Sequence, residues 1–227
     1  MRGLDIPVIL QFASSRCNEP DLSGLENVPL VYCGYKQKEE FGVEGDVIYY
    51  GIDTEEFKGY EGSFNNILTV VTDYRSRDQV TGYSLYQRLI EGLPAHNYGR
   101  QDDGAISLIS RDYEHLKSLY RNYAVFLDTA LHSPLSMSML EAMATGMPVV
   151  THPHDDMPLI IENDVNGIIS GNEEYLKEKL RELLSDRKYR QRLGDAARET
   201  IKARFSIEQF KKSWTELIER TVKHGNN

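Results

Sequence analysis

Cysteine is scarce in this sequence, which has only Cys17 and Cys33 among its 227 residues. The two lack CxxC spacing and no histidine cluster accompanies them, so free thiols are favoured over a metal site or a disulfide. Long apolar runs are missing as well. The longest early run, residues 6–10, is too short for a signal-peptide core or a membrane span, and we therefore expect a cytoplasmic protein without an integral membrane segment.

An excess of positive charge is also absent. The 26 Lys and Arg residues are outnumbered by 35 Asp and Glu residues, which gives a formal net charge of −9. Nucleic-acid binders gain affinity from clustered basic residues that displace counterions from phosphates, so this balance argues against such a partner. It leaves room for a local basic site that holds a small anion. The length allows one large domain, or one domain with a fragment of another.

Short apolar runs separated by turn residues make up the first part of the chain. The runs at residues 7–10, 29–33 and 47–50 are rich in Val, Ile and Tyr and predict strands. Residues 18–24 predict loops, and residues 58–63 resemble a linker.

Strands and helices alternate from residue 66 onward. Apolar runs predict strands at residues 67–72, 95–98, 106–109, 124–128 and 148–151, and helical spacing predicts helices at residues 80–93, 113–123 and 134–145. Gly146 suits the left-handed end of the last of these helices. The alternation predicts an α/β fold in which helices cover both faces of a parallel sheet.

Three further helices are predicted at the carboxyl-terminal end. Asn172 is a suitable N-cap for the first, and residues 189–201 carry the apolar stripe of the second. The third begins with a capping box of Ser206 and Gln209. Its apolar face contains Phe210, Trp214, Leu217 and Ile218, and Phe205 is placed to pack on Phe210.

The residues that suggest chemistry lie in segment 133–150, SPLSMSMLEAMATGMPVV. Ser133 suits the N-cap of a helix, and Pro134 suits the first helical position because its missing N–H would be unpaired there. The free amides at the start of such a helix, after a parallel strand, attract an anion, and a diphosphate is the most common one. Ser136 and Ser138 add two small hydrogen-bond donors.

Glu141 lies further along the same predicted helix, between apolar neighbours. A carboxylate is costly to bury there unless it accepts hydrogen bonds. The hydroxyls of a ribose would supply these bonds. A backbone amide or a basic side chain would supply them equally well, and in that case Glu141 has a structural role.

Residues 141–150, EAMATGMPVV, resemble the donor-binding signature of the retaining GT-B glycosyltransferases (the group 1, glycogen synthase-like family) and match its second half without a gap. Residues 47–57, 163–168 and 205–214 are similar to the family's stretch before the donor domain, its DGxNG turn and its terminal helix. The resemblance covers about residues 28–222, most strongly 119–170. It implies the carboxyl-terminal half of a GT-B fold, which is a Rossmann-like doubly wound parallel sheet.

The same resemblance implies a set of donor-binding residues. They are Glu141 for the ribose hydroxyls, the amides of Ser136, Met137 and Ser138 for the diphosphate, and His132 and Ser133 for the donor sugar. For His132, a role as general base is an alternative to that of a structural or exposed residue.

Four positions depart from the family's pattern. Ser133 stands where the family has a Glu that contacts the donor sugar, and Ser136 stands where it has a glycine. Asp155 and Asp156 replace paired glycines after the next strand.

The phosphate-binding turn after the first strand of this domain departs as well. The family has an Arg and a Lys-Gly pair there; Gly82 fits this pattern, but Thr81 replaces the Lys. Arg75 or Arg77 would then neutralise the leaving phosphates, since Arg suits bidentate contact with phosphate. The alternative is that each is a surface arginine paired with a neighbouring aspartate.

Residues 152–156, HPHDD, raise the possibility of a metal site. His152 and His154 flank a proline, however, and both aspartates follow in the same loop. The resemblance also implies chemistry that needs no bound metal. We therefore expect no metal and no cofactor, with a nucleotide-diphosphate sugar as substrate.

The sequence predicts three parts. Residues 1–58 form a truncated N-terminal α/β remnant with a linker, too short for a doubly wound acceptor domain. Residues 59–205 form the nucleotide-sugar donor-binding domain, and residues 206–227 form a helix that packs back on the remnant. We expect Phe210, Trp214 and Leu217 to make that contact.

The leading functional hypothesis is a retaining, metal-independent glycosyltransferase that acts on an unknown glycan, lipid or protein acceptor. The first alternative is a non-catalytic nucleotide-sugar-binding subunit, in which a partner chain or a homo-oligomer supplies the acceptor domain. The second is a sugar-nucleotide epimerase, which shares the two-domain architecture; the small size of the N-terminal part counts against it most.

Overall fold

A computed structural model describes residues 8–13, 28–100 and 108–225. Three predicted features lie outside this part: the loops at residues 18–24, the thiol of Cys17, and residues 106–107 of one strand. Three short strands among the described residues before position 50 form a small parallel sheet, in which the middle strand pairs with both others. Its elements are β1 (Leu10–Phe12), β2 (Leu30–Tyr32), α1 (Tyr35–Phe41) and β3 (Asp46–Val47).

The rest of the chain builds a five-stranded parallel sheet with the order β5-β4-β6-β7-β8, flanked by helices. Its strands are β4 (Phe64–Val70), β5 (Ala95–Tyr98), β6 (Tyr123–Asp128), β7 (Val149–Thr151) and β8 (Ile168–Ile169). The helices are α2 (Asp78–Thr81), α3 (Tyr83–Leu89), α4 (Tyr113–Asn122), α5 (Met137–Thr145), α6 (Met157–Ile160), α7 (Glu173–Ser185), α8 (Arg187–Arg204) and α9 (Ile207–Gly225). The predicted α/β fold with a parallel sheet is confirmed.

Side chains of the central strands alternate between two buried layers, because successive residues of a strand point to opposite faces. Leu68, Phe126 and Val149 belong to the layer that contains α4, α5 and α8. Their neighbours Ile67 and Val150 belong to the layer that contains α3 and α7. Helices therefore cover both faces of the large sheet, as a doubly wound fold requires.

Gly146 ends a helix where the sequence predicted, and Gly82 explains a difference between a predicted helix and the observed ones. Gly146 ends α5 in the left-handed conformation, with a φ of 92°. The helix predicted over residues 80–93 is divided into α2 and α3 at Gly82, whose φ is 70°. A Cβ at Gly82 would lie 1.9 Å from the carbonyl oxygen of Thr129, so only glycine allows this close approach.

The last helix packs on the small sheet. Leu217 is buried together with Val31 and Ile48, and Phe210 and Trp214 pack against the same cluster. At its start, the Gln209 amide donates to Ser206 Oγ at 3.2 Å, which forms the N-cap half of the predicted capping box. The Gln209 side chain bonds Ser213 instead of the Ser206 amide. The domain boundaries at residues 58 and 205 stay a prediction.

The sequence analysis predicted free thiols and no membrane-spanning segment. Cys33 is a buried free thiol, and burial raises its pKa to about 11. Cys17 lies outside the described residues. Within the described ranges, no helix combines the length and the apolar composition that crossing a membrane requires.

The carboxylate of Asp156 joins the two sheets. It is completely buried after β7 and accepts hydrogen bonds from the backbone amides of Tyr35 and Lys36 at 2.6 and 2.7 Å. These are the first two amides of α1, whose own N-cap residue, Gly34, offers no side chain. The Tyr49 hydroxyl donates a third bond at 2.8 Å. Asp156 therefore caps a helix of the small sheet from within the large one.

We expect Asp156→Asn to destabilise the fold, because an amide has one acceptor oxygen for three donors and carries no charge. The loss of charged hydrogen bonds should lower the unfolding free energy by about 1–3 kcal/mol, and Asp156→Ala should lower it further. Thermal denaturation followed by circular dichroism measures this as a lower Tm. Asp186→Asn is the matched control, since Asp186 accepts from two amides of its own helix and Asn caps as well as Asp. Equal Tm values for the two Asn variants would contradict the role of Asp156.

Candidate functional site

A cleft of about 450 Å³ opens at the carboxyl ends of β4 and β6. The winding of the chain reverses here, since β5 lies on one side of β4 and β6 lies on the other. Ligands of open α/β sheets bind in the crevice at such a switch point. The lining residues are Val70, Val71, Thr72, Arg77, Val80, Thr81, Asp128, Ala130, His132, Ser133, Leu135, Ser136, Met137, Ser138 and Glu141.

Most of the predicted site residues meet in this cleft. Those that line it are Arg77, His132, Ser133, Ser136, Met137, Ser138 and Glu141. Arg75 is exposed and is not among the lining residues. The contacts of these residues with a ligand stay predictions.

The start of α5 differs from the prediction. Ser133 is not the N-cap, and Pro134 is not the first helical residue: the helix begins at Met137 with Ser136 at the N-cap position. Residues before it are held outside the helix by other contacts, since the Ser133 amide donates to Asp155 at 2.6 Å and Leu135 is buried in the core. The Ser136 side chain makes no cap bond, so the first amides of α5 keep their capacity to bind an anion.

Glu141 is held by a tyrosine, which neither sequence-based alternative included. The Tyr120 hydroxyl donates to Glu141 Oε2 at 2.8 Å. Burial raises the pKa of the Glu141 carboxyl, the negative charge of Glu56 adds to this, and the bond from Tyr120 opposes it. Tyr120 remains a donor because burial raises its own pKa well above the ordinary value. One oxygen of Glu141 is thus fixed while the side chain borders the cleft.

Arg77 carries an available positive charge beside the cleft. In the described part of the chain, no ion pair joins it to Asp73 or Asp78, and its side chain is exposed. Asp78 is engaged instead by Ser84, whose amide and hydroxyl donate at 2.7 and 2.5 Å. Thr81, which replaces the expected Lys, is buried and donates to the Tyr74 carbonyl at 2.6 Å. Arg77 is therefore the basic side chain among the lining residues.

Asp128 is a site residue that sequence reasoning missed, because it was treated only as the end of a strand. It is buried, lines the cleft and accepts from the Ala130 amide at 3.0 Å through Oδ1. Among the described residues, its Oδ2 has no hydrogen-bond partner and faces His154 Nε2, also unpartnered there, at 3.9 Å. A polar residue at the carboxyl end of a central strand was the signal that could have identified it.

The side chains of residues 152–156 point to different partners. His154 faces Asp128, Asp155 bonds Ser133, and Asp156 bonds α1. Across the described residues, no group of three or more His, Cys, Asp or Glu side chains is placed to hold a metal ion.

We expect Glu141→Gln to increase stability at neutral pH, because the amide oxygen still accepts from Tyr120 and no charge is buried. A raised folded-state pKa means that protonation stabilises the wild type: this contribution is fully present below the unfolded value of 4.5 and is lost as pH rises through the folded pKa. The Tm of the variant should therefore exceed that of the wild type at neutral pH, and the difference should shrink as pH falls toward 4.5.

Thermal denaturation across this range tests the expectation, with the exposed Glu219→Gln as a control for the loss of one negative charge. A Glu141→Gln variant that is less stable than the wild type at neutral pH would show that burial of the charged carboxylate does not destabilise the fold.

Comparisons with known proteins agree with this geometry. Residues 95–200 match the family model of glycosyl transferases group 1. Sulfoquinovosyl transferase SQD2 of Arabidopsis thaliana is 36% identical over 91 residues, which is 38% of this chain and 18% of that protein. The chain spans less than a third of the length of the curated relatives it matches.

Solved structures show the same fold at low identity. Sucrose-phosphate synthase from Thermosynechococcus elongatus superposes with a TM-score of 0.72 at 17% identity, over 88% of this chain and 60% of that one. Anabaena HepE, solved with UDP and glucose, superposes with a TM-score of 0.71 at 14% identity, over 84% and 62%. The chain thus has an α/β, Rossmann-like fold, and its residues 95–200 are similar to the group 1 glycosyl transferases.

Proposed function

We propose that the chain binds a nucleoside-diphosphate sugar in the cleft and transfers the sugar to an acceptor. The observation that carries this proposal is the meeting of three kinds of group at one switch point: the free amides at the start of α5, the Arg77 cation and the Glu141 carboxylate. Anabaena HepE has been solved with UDP-glucose, which supports a donor of this class.

The spacing along α5 suits the donor. The amides of Met137 and Ser138 attract the diphosphate, and Glu141 follows Met137 by one helical turn, which is about 6 Å at 1.5 Å per residue. That separation matches the distance between a phosphate and the hydroxyls of the ribose it esterifies. Glu141 Oε2 accepts from Tyr120, which leaves the second oxygen to accept from the ribose diol.

Catalysis follows from the positive field at the diphosphate. When the bond between the sugar and the phosphate oxygen breaks, negative charge grows on the leaving diphosphate. Arg77 and the α5 amides stabilise this charge, and removal of one such donor typically slows a reaction by about 10²-fold. Because protein groups supply this field, we propose that transfer needs no metal. The resemblance of residues 141–150 to retaining enzymes supports retention at the anomeric carbon.

A second candidate is a nucleotide-sugar-binding subunit without turnover of its own. The observation that favours it is the small size of the acceptor side, which has three strands in the described residues. Further chain, a partner chain or a second copy would then complete the cleft. In both candidate functions, the acceptor of the sugar would be a glycan, a lipid or a protein.

Isothermal titration calorimetry with UDP, GDP and ADP tests the binding proposal. We expect one of them to bind and Glu141→Ala to weaken it by about 1–3 kcal/mol, because the ribose hydroxyls lose their acceptor. Tyr120→Phe should have a smaller effect in the same direction, since the carboxylate remains but is less well positioned. The absence of binding by all three nucleotides at millimolar concentration would overturn the proposal.

Release of free nucleotide from the bound donor tests turnover. We expect Arg77→Gln to slow it by about 10²-fold, whereas Arg88→Gln, which removes an exposed arginine paired with Glu173, should leave it unchanged. Equal rates for the two variants would exclude Arg77 from catalysis. Intact binding with no turnover by the wild type favours the binding subunit.

A further inference from the structure

The loop between β6 and α5 is contacted by a carboxylate from the loop after β7. Asp155 Oδ2 accepts from the backbone amide of Ser133 at 2.6 Å, and Ser133 lines the cleft. Asp155 adopts a φ of 38°, in the left-handed region that non-glycine residues rarely occupy. Its neighbour Asp156 is fixed by three hydrogen bonds to the small sheet, and this anchorage holds Asp155 in place.

The position of Asp155 is next to the diphosphate end of the proposed donor site. Ser133 precedes the N-cap residue Ser136 by three residues, and three extended residues span at most about 10 Å. The small sheet borders the same loop, since a Cβ at Gly34 would lie 3.0 Å from the carbonyl oxygen of Pro134. The Asp155 carboxylate therefore lies directly behind Ser133, a residue that lines the cleft, and is hydrogen-bonded to its amide.

Only one oxygen of this carboxylate is used by the protein. In the described part of the chain, Asp155 Oδ1 has no hydrogen-bond partner, and the side chain is half-buried. A carboxylate beside a diphosphate repels it, so Asp155 disfavours the free nucleotide. The second oxygen can accept hydrogen bonds from a ligand. An uncharged, hydroxyl-rich group suits it, because a charged acceptor forms strong hydrogen bonds with hydroxyl donors.

We propose that Asp155 determines donor specificity by accepting hydrogen bonds from hydroxyls of the donor sugar. This inference rests on the proposed function. Asp155 does not take part in bond breaking; it selects the sugar-bearing donor over the free nucleotide. The two effects of the carboxylate have opposite signs, attraction of the sugar and repulsion of the phosphates, and this makes the role measurable.

The test is the ratio of Kd for the nucleoside diphosphate to Kd for its sugar form. The probes are UDP with UDP-glucose, GDP with GDP-mannose and ADP with ADP-glucose, and the pair that binds the wild type best is used. The variants are Asp155→Asn, whose side-chain oxygen still accepts from Ser133 and which tolerates a positive φ, and Asp155→Gly, which suits the backbone and removes the side chain.

We expect the ratio to fall by about tenfold in both variants, corresponding to one charged hydrogen bond, while the free nucleotide binds as tightly as before or more tightly. A ratio unchanged in both variants, with nucleotide binding intact, overturns this inference alone and makes Asp155 a support of the loop. Absence of nucleotide binding by the wild type overturns the proposed function and this inference together.

Discussion

The buried carboxylate of Asp156 is the contact on which the arrangement of the site depends. It binds the first amides of α1 and the Tyr49 hydroxyl, so it fixes the small sheet against the loop that follows β7. Because the same loop carries Asp155, the anchorage also determines where the Ser133 amide is held. The non-helical path of the residues before α5, and with it the shape of the cleft, depends on one desolvated and fully hydrogen-bonded charge.

Stability and binding make opposite demands on the α5 side of the cleft. Burial of Glu141 raises its pKa, and Tyr120 compensates only part of that penalty. The first amides of α5 likewise remain without a side-chain cap. A protein selected for stability alone would use a neutral residue at position 141 and a capping side chain at the helix start. Unsatisfied groups concentrated around one crevice are what a binding site for an anion with hydroxyls requires.

Local sequence patterns predicted most of the fold. Alternating apolar runs identified the central strands, and Gly146 identified the end of α5, because these features depend on near neighbours. The start of α5 was predicted three residues early, since Ser133 and Pro134 satisfy local rules but are held by Asp155 from a distant loop. Tyr120, which holds Glu141, lies in the helix predicted at residues 113–123, and local spacing does not connect it with Glu141. Contacts between residues far apart in sequence decide these positions, and spacing alone cannot reveal them.

A crystal structure of the chain with a bound nucleoside-diphosphate sugar tests the central claim most directly. The account predicts the ribose hydroxyls on Glu141, the diphosphate on the amides of Met137 and Ser138 with Arg77 beside it, and the sugar toward Ser133. A nucleotide bound elsewhere, or one in this cleft whose ribose does not contact Glu141, would contradict it.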